Sequence, residues 1–407
     1  MKKCCILFIL ILPFLLYGCD EKSPDETKTE EDLESLFDVE DFEDGVKIIQ
    51  YLGHGETQIV VPQLIQDKQV LAIGEYAFKE CDIERVTLPF GLESIMVEAF
   101  AYSEDLTQVT LPETIIRIGR AAFSGCTSLS QINFPYSLLN ISDNAFESTN
   151  LSTVNLPPNL DRIGQSAFRN NYHLSTLSLP VHLEFLGPGA FANNTSLTSV
   201  LFPAGDIEIG SGAFDGCTHL EHFEFQEGVT IIPEGMFLNN YALYDVKLPH
   251  SIQVIRSGAF QNCTSLKEIT IPDNNYILFG EGVFMNSGLT SIAIPGGVRL
   301  GNGTFNHCTS LTHVTIGEGL STLPLGVFAG CISLVEIALP HTLEYISMGA
   351  FAGCITLESI ILYENVNFIG SGAFDDCMNL TIYCHAYGPD ITFEEGWNPE
   401  NVLVIYE

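Results

Sequence analysis

Phenylalanine recurs at an almost constant interval through most of this 407-residue sequence, usually directly after alanine. Nine of the thirteen intervals are 23 residues, and the other four are 21, 22, 22 and 24 residues. The positions are Phe78, Phe100, Phe123, Phe146, Phe168, Phe191, Phe214, Phe237, Phe260, Phe284, Phe305, Phe328, Phe351 and Phe374. A fixed period of this length is the signature of a solenoid, in which each coil packs only against its neighbours. The repeat therefore predicts one stacked array instead of several globular domains.

Each repeat contains a short strand with an apolar face. In the repeat that begins at Phe100, the spacing of Leu106, Val109 and Leu111 places three apolar side chains on one side of the strand. Pro112 follows and is expected to end the strand, because proline has no N–H to donate to a sheet. Ten of the fourteen repeats have proline at this place, so the strands are predicted to be uniformly short.

A second apolar position lies between the strand and the next phenylalanine, at Ile118 in the same repeat. It is apolar in all fourteen repeats, and glycine follows it in eight, which predicts a bend or a close approach of two backbones. The alanine–phenylalanine pair then turns the chain back, so the fourteen rings are expected to stack as a spine in the core. The repeats that begin at Phe78, Phe146 and Phe284 lack one residue before the strand, and the strand pattern resumes in phase, which places the deletion in a loop.

Residues 1–18 have the pattern of a secretory leader. Lys2 and Lys3 precede the apolar run Cys4–Tyr17, which is shorter than the about 20 residues that a membrane-spanning helix needs. The run ends in Leu16–Cys19, which resembles a bacterial lipobox and implies cleavage before Cys19 and lipid attachment to that cysteine. This interpretation predicts an exported protein that is lipid-anchored to the cell membrane or outer membrane and surface-exposed. The alternative is an ordinary secretory signal that contains Cys19.

The charge balance excludes one large class of partner. The chain has 51 acidic and 16 basic residues, a net charge of -35, whereas nucleic-acid binding needs Lys and Arg to replace counterions on phosphates. Residues 20–46 hold thirteen Asp or Glu and two Lys, so they repel one another and contain too little apolar surface to order. Residues 19–46 are therefore expected to form a disordered acidic tether. A cation-binding or receptor-binding tail is the alternative.

The residue three places after each repeated phenylalanine is Cys, Asn, Ser or Thr in every repeat. These residues are Cys81, Ser103, Cys126, Thr149, Asn171, Asn194, Cys217, Asn240, Cys263, Ser287, Cys308, Cys331, Cys354 and Cys377. Such side chains can hydrogen-bond to backbone at tight turns, so the column predicts an internal ladder that satisfies turn amides between coils.

Eight of the twelve cysteines occupy this ladder column. Because Asn, Ser and Thr fill the same column, no disulfide is required and buried thiols are expected. A bond between Cys377 and Cys384 is the alternative at the end of the column. Paired C-x-x-C spacing is missing from the sequence, which argues against zinc, and neither a metal nor a cofactor is expected.

The full pattern, L-x-x-I-x-L-P-x-x-L-x-x-I-G-x-x-A-F-x-x-C, resembles the BspA-like bacterial leucine-rich repeats. The resemblance implies a β-rich solenoid, a right-handed leucine-rich-repeat coil with a parallel sheet on the concave side and short strands and 3₁₀ turns on the convex side. It also implies an N-terminal cap over residues 47–76, a repeat array over 77–378 and a C-terminal cap over 379–407. Caps are needed because an open end coil would expose its core.

One group of outward-facing strand residues departs from the small polar side chains that dominate the concave face. We call it the concave patch, and it consists of Glu221, His222, Glu224, Tyr244, Asp245, Lys247, Lys267 and Glu268. The patch mixes both signs of charge with one aromatic residue, as contact surfaces often do. It is the candidate ligand-binding surface.

Two chemical alternatives involve the same patch. Ser199, His222 and Asp245 fall in one column in the order of a hydrolytic triad. However, side chains on neighbouring strands project in parallel, without a cleft or evident oxyanion donors, which argues against catalysis. A metal site formed by His222, Asp245 and Glu268 is the other alternative.

Together with the leader that ends at Cys19, the resemblance to BspA-like proteins implies a surface lipoprotein that binds proteins and acts in adhesion, and no enzymatic activity is expected. The expected partner is a host extracellular-matrix protein, another surface protein or a bacterial envelope protein, and the expected state is a monomer. A carbohydrate-binding protein or an envelope scaffold is the alternative, and a hydrolase is a remote third. A carbohydrate-binding face would predict a row of exposed aromatics, but the patch offers only Tyr244.

Overall fold

The computed structural model describes residues 33–273, 276–385, 391–397 and 402–406. The leader, Cys19 and the first part of the expected tether lie outside the described residues. In the described ranges, helical structure is confined to a single turn, and no helix there is long and apolar enough to cross a membrane. The chain winds instead as a parallel β-solenoid, with two strand faces and a third face made of turns.

The first face is formed by the strands of the L-x-x-V-x-L segments. They are β3 (Gln58–Val60), β6 (Arg85–Thr87), β8 (Gln108–Thr110), β10 (Gln131–Ile132), β12 (Thr153–Val154), β14 (Thr176–Ser178), β16 (Ser199–Leu201), β18 (His222–Glu224), β20 (Asp245–Lys247), β23 (Ser291–Ile294), β25 (His313–Ile316), β27 (Glu336–Ala338), β29 (Ser359–Leu362), β31 (Thr381–Cys384) and β33 (Leu403–Tyr406). Their parallel register keeps the predicted columns, since Thr176 pairs with Ser199 and Ser199 pairs with His222.

The second face carries the Ile-Gly segments. Its strands are β2 (Gly45–Tyr51), β5 (Lys68–Ile73), β7 (Ser94–Ile95), β9 (Arg117–Ile118), β11 (Asn140–Ile141), β13 (Arg162–Ile163), β15 (Phe185–Leu186), β17 (Glu208–Ile209), β19 (Ile231–Ile232), β21 (Val254–Ile255), β22 (Ile277–Phe279), β24 (Val298–Arg299), β26 (Thr322–Leu323), β28 (Tyr345–Ile346), β30 (Phe368–Ile369) and β32 (Thr392–Phe393). Two further strands, β1 (Phe37–Phe42) and β4 (Leu64–Ile65), add antiparallel pairs at the N-terminal end.

The core contains the predicted aromatic spine. All fourteen repeated phenylalanines are fully buried, and successive rings lie 4.8 to 6.2 Å apart between centroids with nearly parallel planes. The widest step is between Phe214 and Phe237, where Phe223 from β18 packs 4.8 Å from the ring of Phe237. Aromatic burial and stacking therefore continue through every coil, which confirms the spine.

The third face turns through two left-handed residues in each coil, one two places before and one two places after the phenylalanine. Around Phe123 these are Ala121 at φ 53° and Gly125 at φ 74°. The sequence interpretation missed this requirement. It explains why separate hydrogen-bonded turns stand where 3₁₀ pieces were expected, because a 3₁₀ helix needs negative φ at every residue. The glycine after Ile118 was interpreted correctly, since a Cβ on Gly119 would lie 2.8 Å from the carbonyl oxygen of Ile95.

The ladder column connects neighbouring coils, as predicted, but its bonds reach carbonyls as well as amides. The thiol of Cys126 donates to the carbonyl of Phe100 at 3.0 Å, and Nδ2 of Asn171 donates to the carbonyl of Phe146 at 2.8 Å. Burial raises the pKa of the Cys126 and Cys217 thiols to about 12. These thiols therefore stay protonated and serve as donors inside the stack.

The N-terminal cap begins earlier than expected. Residues 37–42 form β1, which pairs antiparallel with β2, so the expectation of a disordered tether is wrong for this stretch. Phe37 and Val39 point inward between exposed acidic residues, which is strand periodicity inside an acidic run. The ring of Phe37 lies 6.1 Å from that of Phe78 and covers the end of the spine.

The C-terminal cap continues the coil pattern past the last repeat. Strand β33 pairs with β31 in parallel, and Trp397 packs on the core 4.4 Å from the ring of Phe393. The described parts of both ends therefore place side chains over the terminal coils, as an array of repeats requires.

Candidate functional site

The register of the first face brings the middle of the concave patch together. His222 is directly opposite Asp245, and Glu224 is opposite Lys247. The Nζ of Lys247 lies 3.4 Å from Oε2 of Glu224. Both side chains are exposed, so this ion pair contributes at most about 1 kcal/mol to stability. Its charges remain accessible to a partner.

A cleft of about 580 Å³ opens beside this pair, and we call it the first-face cleft. It forms because the segment from Lys267 to Asp273 contains no strand, so β20 ends one sheet and β23 begins the next. The polar side chains that line it come from three successive coils and are Asp245, Lys247, His250, Glu268, Thr270 and Ser291. The site is therefore a recess in the sheet with both signs of charge at its border.

The predicted patch residues divide into two groups around this recess. Asp245, Lys247 and Glu268 line the cleft, and His222 and Glu224 lie next to it on β18. The other three are exposed at its margin and are Glu221, Tyr244 and Lys267. The Nζ of Lys267 donates to the carbonyl of Thr264 at 3.2 Å, so that side chain turns back toward the segment that precedes it.

Sequence reasoning missed three other polar residues that line the cleft. His250, Thr270 and Ser291 line it although none was assigned to the patch. The 24-residue interval from Phe260 to Phe284 was the available signal, because an altered length interrupts the strand ladder. His250 also contacts Glu227, whose Oε1 accepts the His250 backbone N–H at 2.9 Å, and this bond lowers the pKa of the Glu227 carboxyl.

The geometry does not support the two chemical alternatives for this patch, a hydrolytic triad and a metal site. Ser199, His222 and Asp245 do share one column, yet no hydrogen bond joins any two of these side chains among the described contacts. The three lie on an open sheet, where nothing positions the imidazole between a nucleophile and a carboxylate. In the part of the chain that the structure describes, no group of three or more His, Cys, Asp and Glu side chains is placed to hold a metal ion.

Comparison with solved structures places this fold among bacterial leucine-rich repeat proteins. A leucine-rich repeat protein from Bacteroides ovatus is 26% identical, with 88% of each chain covered and a TM-score of 0.74. A leucine rich cell surface protein from Faecalibacterium prausnitzii is 22% identical, with 91% of this chain and 97% of that one covered and a TM-score of 0.48. No curated protein matches the sequence.

The family comparison covers most of the chain. The BspA type leucine rich repeat region, a unit of six copies, matches residues 60–175, 163–278 and 277–385. These matches span both faces, the aromatic spine and the first-face cleft. This chain therefore belongs to the family of BspA-type leucine-rich repeat proteins.

Proposed function

We propose that this protein is a cell-surface lipoprotein, anchored through Cys19, that binds another protein through the first-face cleft and the concave patch around it. The observation that carries the proposal is the recess bordered by Asp245, Lys247 and Glu268 on the first face. Recesses that combine accessible charge of both signs with apolar walls are well suited to protein contacts. The partner is a host extracellular-matrix protein, another surface protein or a bacterial envelope protein.

A binding experiment tests the cleft. The purified full-length protein is titrated against fibronectin, fibrinogen, collagen and laminin, and against a native envelope extract, at low and high salt. The variant His222→Ala with Asp245→Ala should weaken saturable binding about 10-fold, as loss of a moderate contact residue does. The matched control, Thr153→Ala with Thr176→Ala, changes the same column on β12 and β14 and should leave binding unchanged.

The two outcomes separate the hypotheses about this face. Equal affinity for both double variants, with melting temperatures unchanged, would remove the cleft as the binding site. Weaker binding at high salt would indicate that the exposed charges contribute to the contact.

Membrane attachment has its own test. Incorporation of radiolabelled palmitate into the wild-type chain, together with its loss in Cys19→Ala, is the expected result. Release of the Cys19→Ala chain into the medium would accompany it, because a lipid anchor supplies the membrane affinity. Labelling that persists in the variant would contradict the assignment.

A further inference from the structure

A second recess opens on the opposite strand face, at the same irregular coils. It lies where β22, β24 and β26 begin, and its volume is about 510 Å³. We call it the second-face cleft. Its principal lining residues are Tyr276, Gly296, Gly297, Arg299, Ser321 and Thr322. This volume is within the range of small-ligand pockets.

The cleft results from a shortened connection. The tract from Pro295 to Leu300 is one residue shorter than the matching tract from Pro112 to Ile118 in a regular coil, and two residues shorter than that from Pro272 to Phe279 in the preceding coil, although Ile277 and Val298 pair. The short tract lies flat against the next coil, since a Cβ on Gly296 would be 1.7 Å from the carbonyl oxygen of Glu318. The second face is interrupted here, because β24 ends one sheet and β26 begins the next. Glycine backbone therefore lines the recess where side chains would otherwise fill it.

The charge of this cleft is opposite to that of the whole chain. Arg299 is the only charged residue among the described lining residues, and it is exposed. No described Asp or Glu side chain lies within 4.0 Å of its guanidinium, whereas the chain carries a net charge of -35. The Cζ of Arg299 lies 5.3 Å from the centroid of the half-exposed Tyr276 ring. A cation held against an aromatic ring in a neutral polar recess is complementary to an anionic ligand.

We propose that the second-face cleft binds a sugar unit that carries a carboxylate, within an acidic glycan. The planar guanidinium of Arg299 would donate two parallel hydrogen bonds to the oxygens of the carboxylate. The ring of Tyr276 offers an apolar surface to the C–H face of the sugar. The exposed hydroxyls of Ser321 and Thr322 are available to the sugar hydroxyls. This site lies on the other strand face from the first-face cleft and does not depend on the function proposed there.

Calorimetric titration of the full-length protein tests the assignment with three probes. They are a glucuronic-acid-containing oligosaccharide, the same oligosaccharide with glucose in place of the uronic acid, and an acidic peptide. Saturable binding of the acidic sugar, at least 10-fold tighter than the neutral one, is expected. Equal affinity for the two sugars, no saturable binding of the acidic sugar, or equal binding of the acidic peptide would each overturn the proposal.

The variants locate the site. Arg299→Gln should abolish the preference for the acidic sugar. Tyr276→Ala should instead lower the affinity for both sugars by a similar factor. Arg162→Gln is the matched control, because Arg162 also lies on the second face with its Cζ 3.8 Å from the ring of Phe185, but outside the cleft. It removes the same charge and should retain wild-type affinity. A loss in Arg162→Gln as large as in Arg299→Gln would show a general charge effect and overturn the assignment.

Discussion

The regular coils between Phe168 and Phe260 and the irregular coils between Phe260 and Phe305 share a core but differ at the surface. The spine crosses the irregular coils without a gap, with ring centroids 5.4 and 5.6 Å apart at Phe284. The first face is continuous from β12 to β20, and in the regular coils the second face breaks once, between β17 and β19. At the irregular coils both faces break, and a cleft opens on each. The shorter interval after Phe146 shows the same effect, since the first face breaks between β10 and β12 beside a cleft of about 360 Å³.

This comparison shows where a solenoid can absorb a change in length. The core columns must stay in register because each ring packs on the next. Insertions and deletions are therefore confined to the tracts between the columns, where they disrupt the sheet ladders. The ladders also break between β17 and β19 and between β27 and β29, where the interval is 23 residues, so a change in length is only one cause of a break. The irregular coils, where the length does change, carry both candidate sites.

The largest expected effect tests whether the core is equally tight in both regions. Phe214→Ala in a regular coil and Phe284→Ala in an irregular coil should each lower the free energy of unfolding by about 3–5 kcal/mol, because both rings are fully buried. Thermal and denaturant unfolding measure this change. A much smaller loss for Phe284→Ala alone would mean that the irregular coils are packed more loosely than the regular ones.

A second pair of variants compares close backbone contacts. Gly296→Ala should destabilise the protein by about 3 kcal/mol, since its Cβ would collide with the Glu318 carbonyl. Gly119→Ala should lower the free energy of unfolding by only about 1 kcal/mol, because its Cβ would lie 2.8 Å from the Ile95 carbonyl oxygen, and Met96 and Ser142 at the same position in adjacent coils show that a small backbone shift relieves such a contact. Equal losses of unfolding free energy would contradict the view that Gly296 lies closer to the next coil than Gly119 does.

One substitution in the ladder column, at Asn240 in the coil before the irregular coils, is expected to stabilise the protein. Both side-chain amide atoms of Asn240 are buried without a hydrogen-bond partner. Asn240→Cys should raise the free energy of unfolding by about 1 kcal/mol, because it removes an unsatisfied amide and introduces the donor found in other coils. Asn171→Cys is the control, since the Asn171 amide donates to the carbonyls of Phe146 and Phe168 and should not be improved upon.

The smallest expected effect concerns two pairs of hydrogen-bonded residues on either side of the irregular coils, Glu227 with His250 and Glu318 with His341. The His250 backbone amide lowers the pKa of Glu227, and the His341 side chain lowers the pKa of Glu318. A carboxyl with a lowered pKa stabilises the fold above its unfolded pKa and loses that contribution as pH falls through the folded value. Glu227→Gln with Glu318→Gln should therefore lower the melting temperature at pH 7 but not at about pH 2. A difference that persists in acid would exclude the carboxylates as its cause.

Most of the fold could be predicted because the same pattern of apolar, glycine and proline positions recurs in fourteen repeats. The positions of Phe100, Val109 and Ile118 define the core columns, and the proline after each strand limits its length. The left-handed turn positions were missed although glycine stands two places before the phenylalanine in nine of the fourteen repeats, because the N-terminal repeats place residues such as Ala121 there. The strand at Phe37–Phe42 was missed because average composition concealed its alternating pattern.

Only part of the candidate binding surface could be predicted from the sequence. The concave patch could be located because the register of His222, Asp245 and Glu268 follows from the period. The cleft beside it could not, since a recess depends on which backbone segments leave the ladder and how the next coil then packs.

The sequence by itself determined the solenoid, its core columns and the face on which each side chain lies, because these follow from a local pattern repeated at a constant period. Only the tertiary structure decided that the first-face cleft brings Asp245, Glu268 and Ser291 together, and that Arg299 lies beside Tyr276 without a described carboxylate partner. These arrangements arise where the period fails. There, the position of each side chain is set by contacts between coils instead of by its place in the repeat.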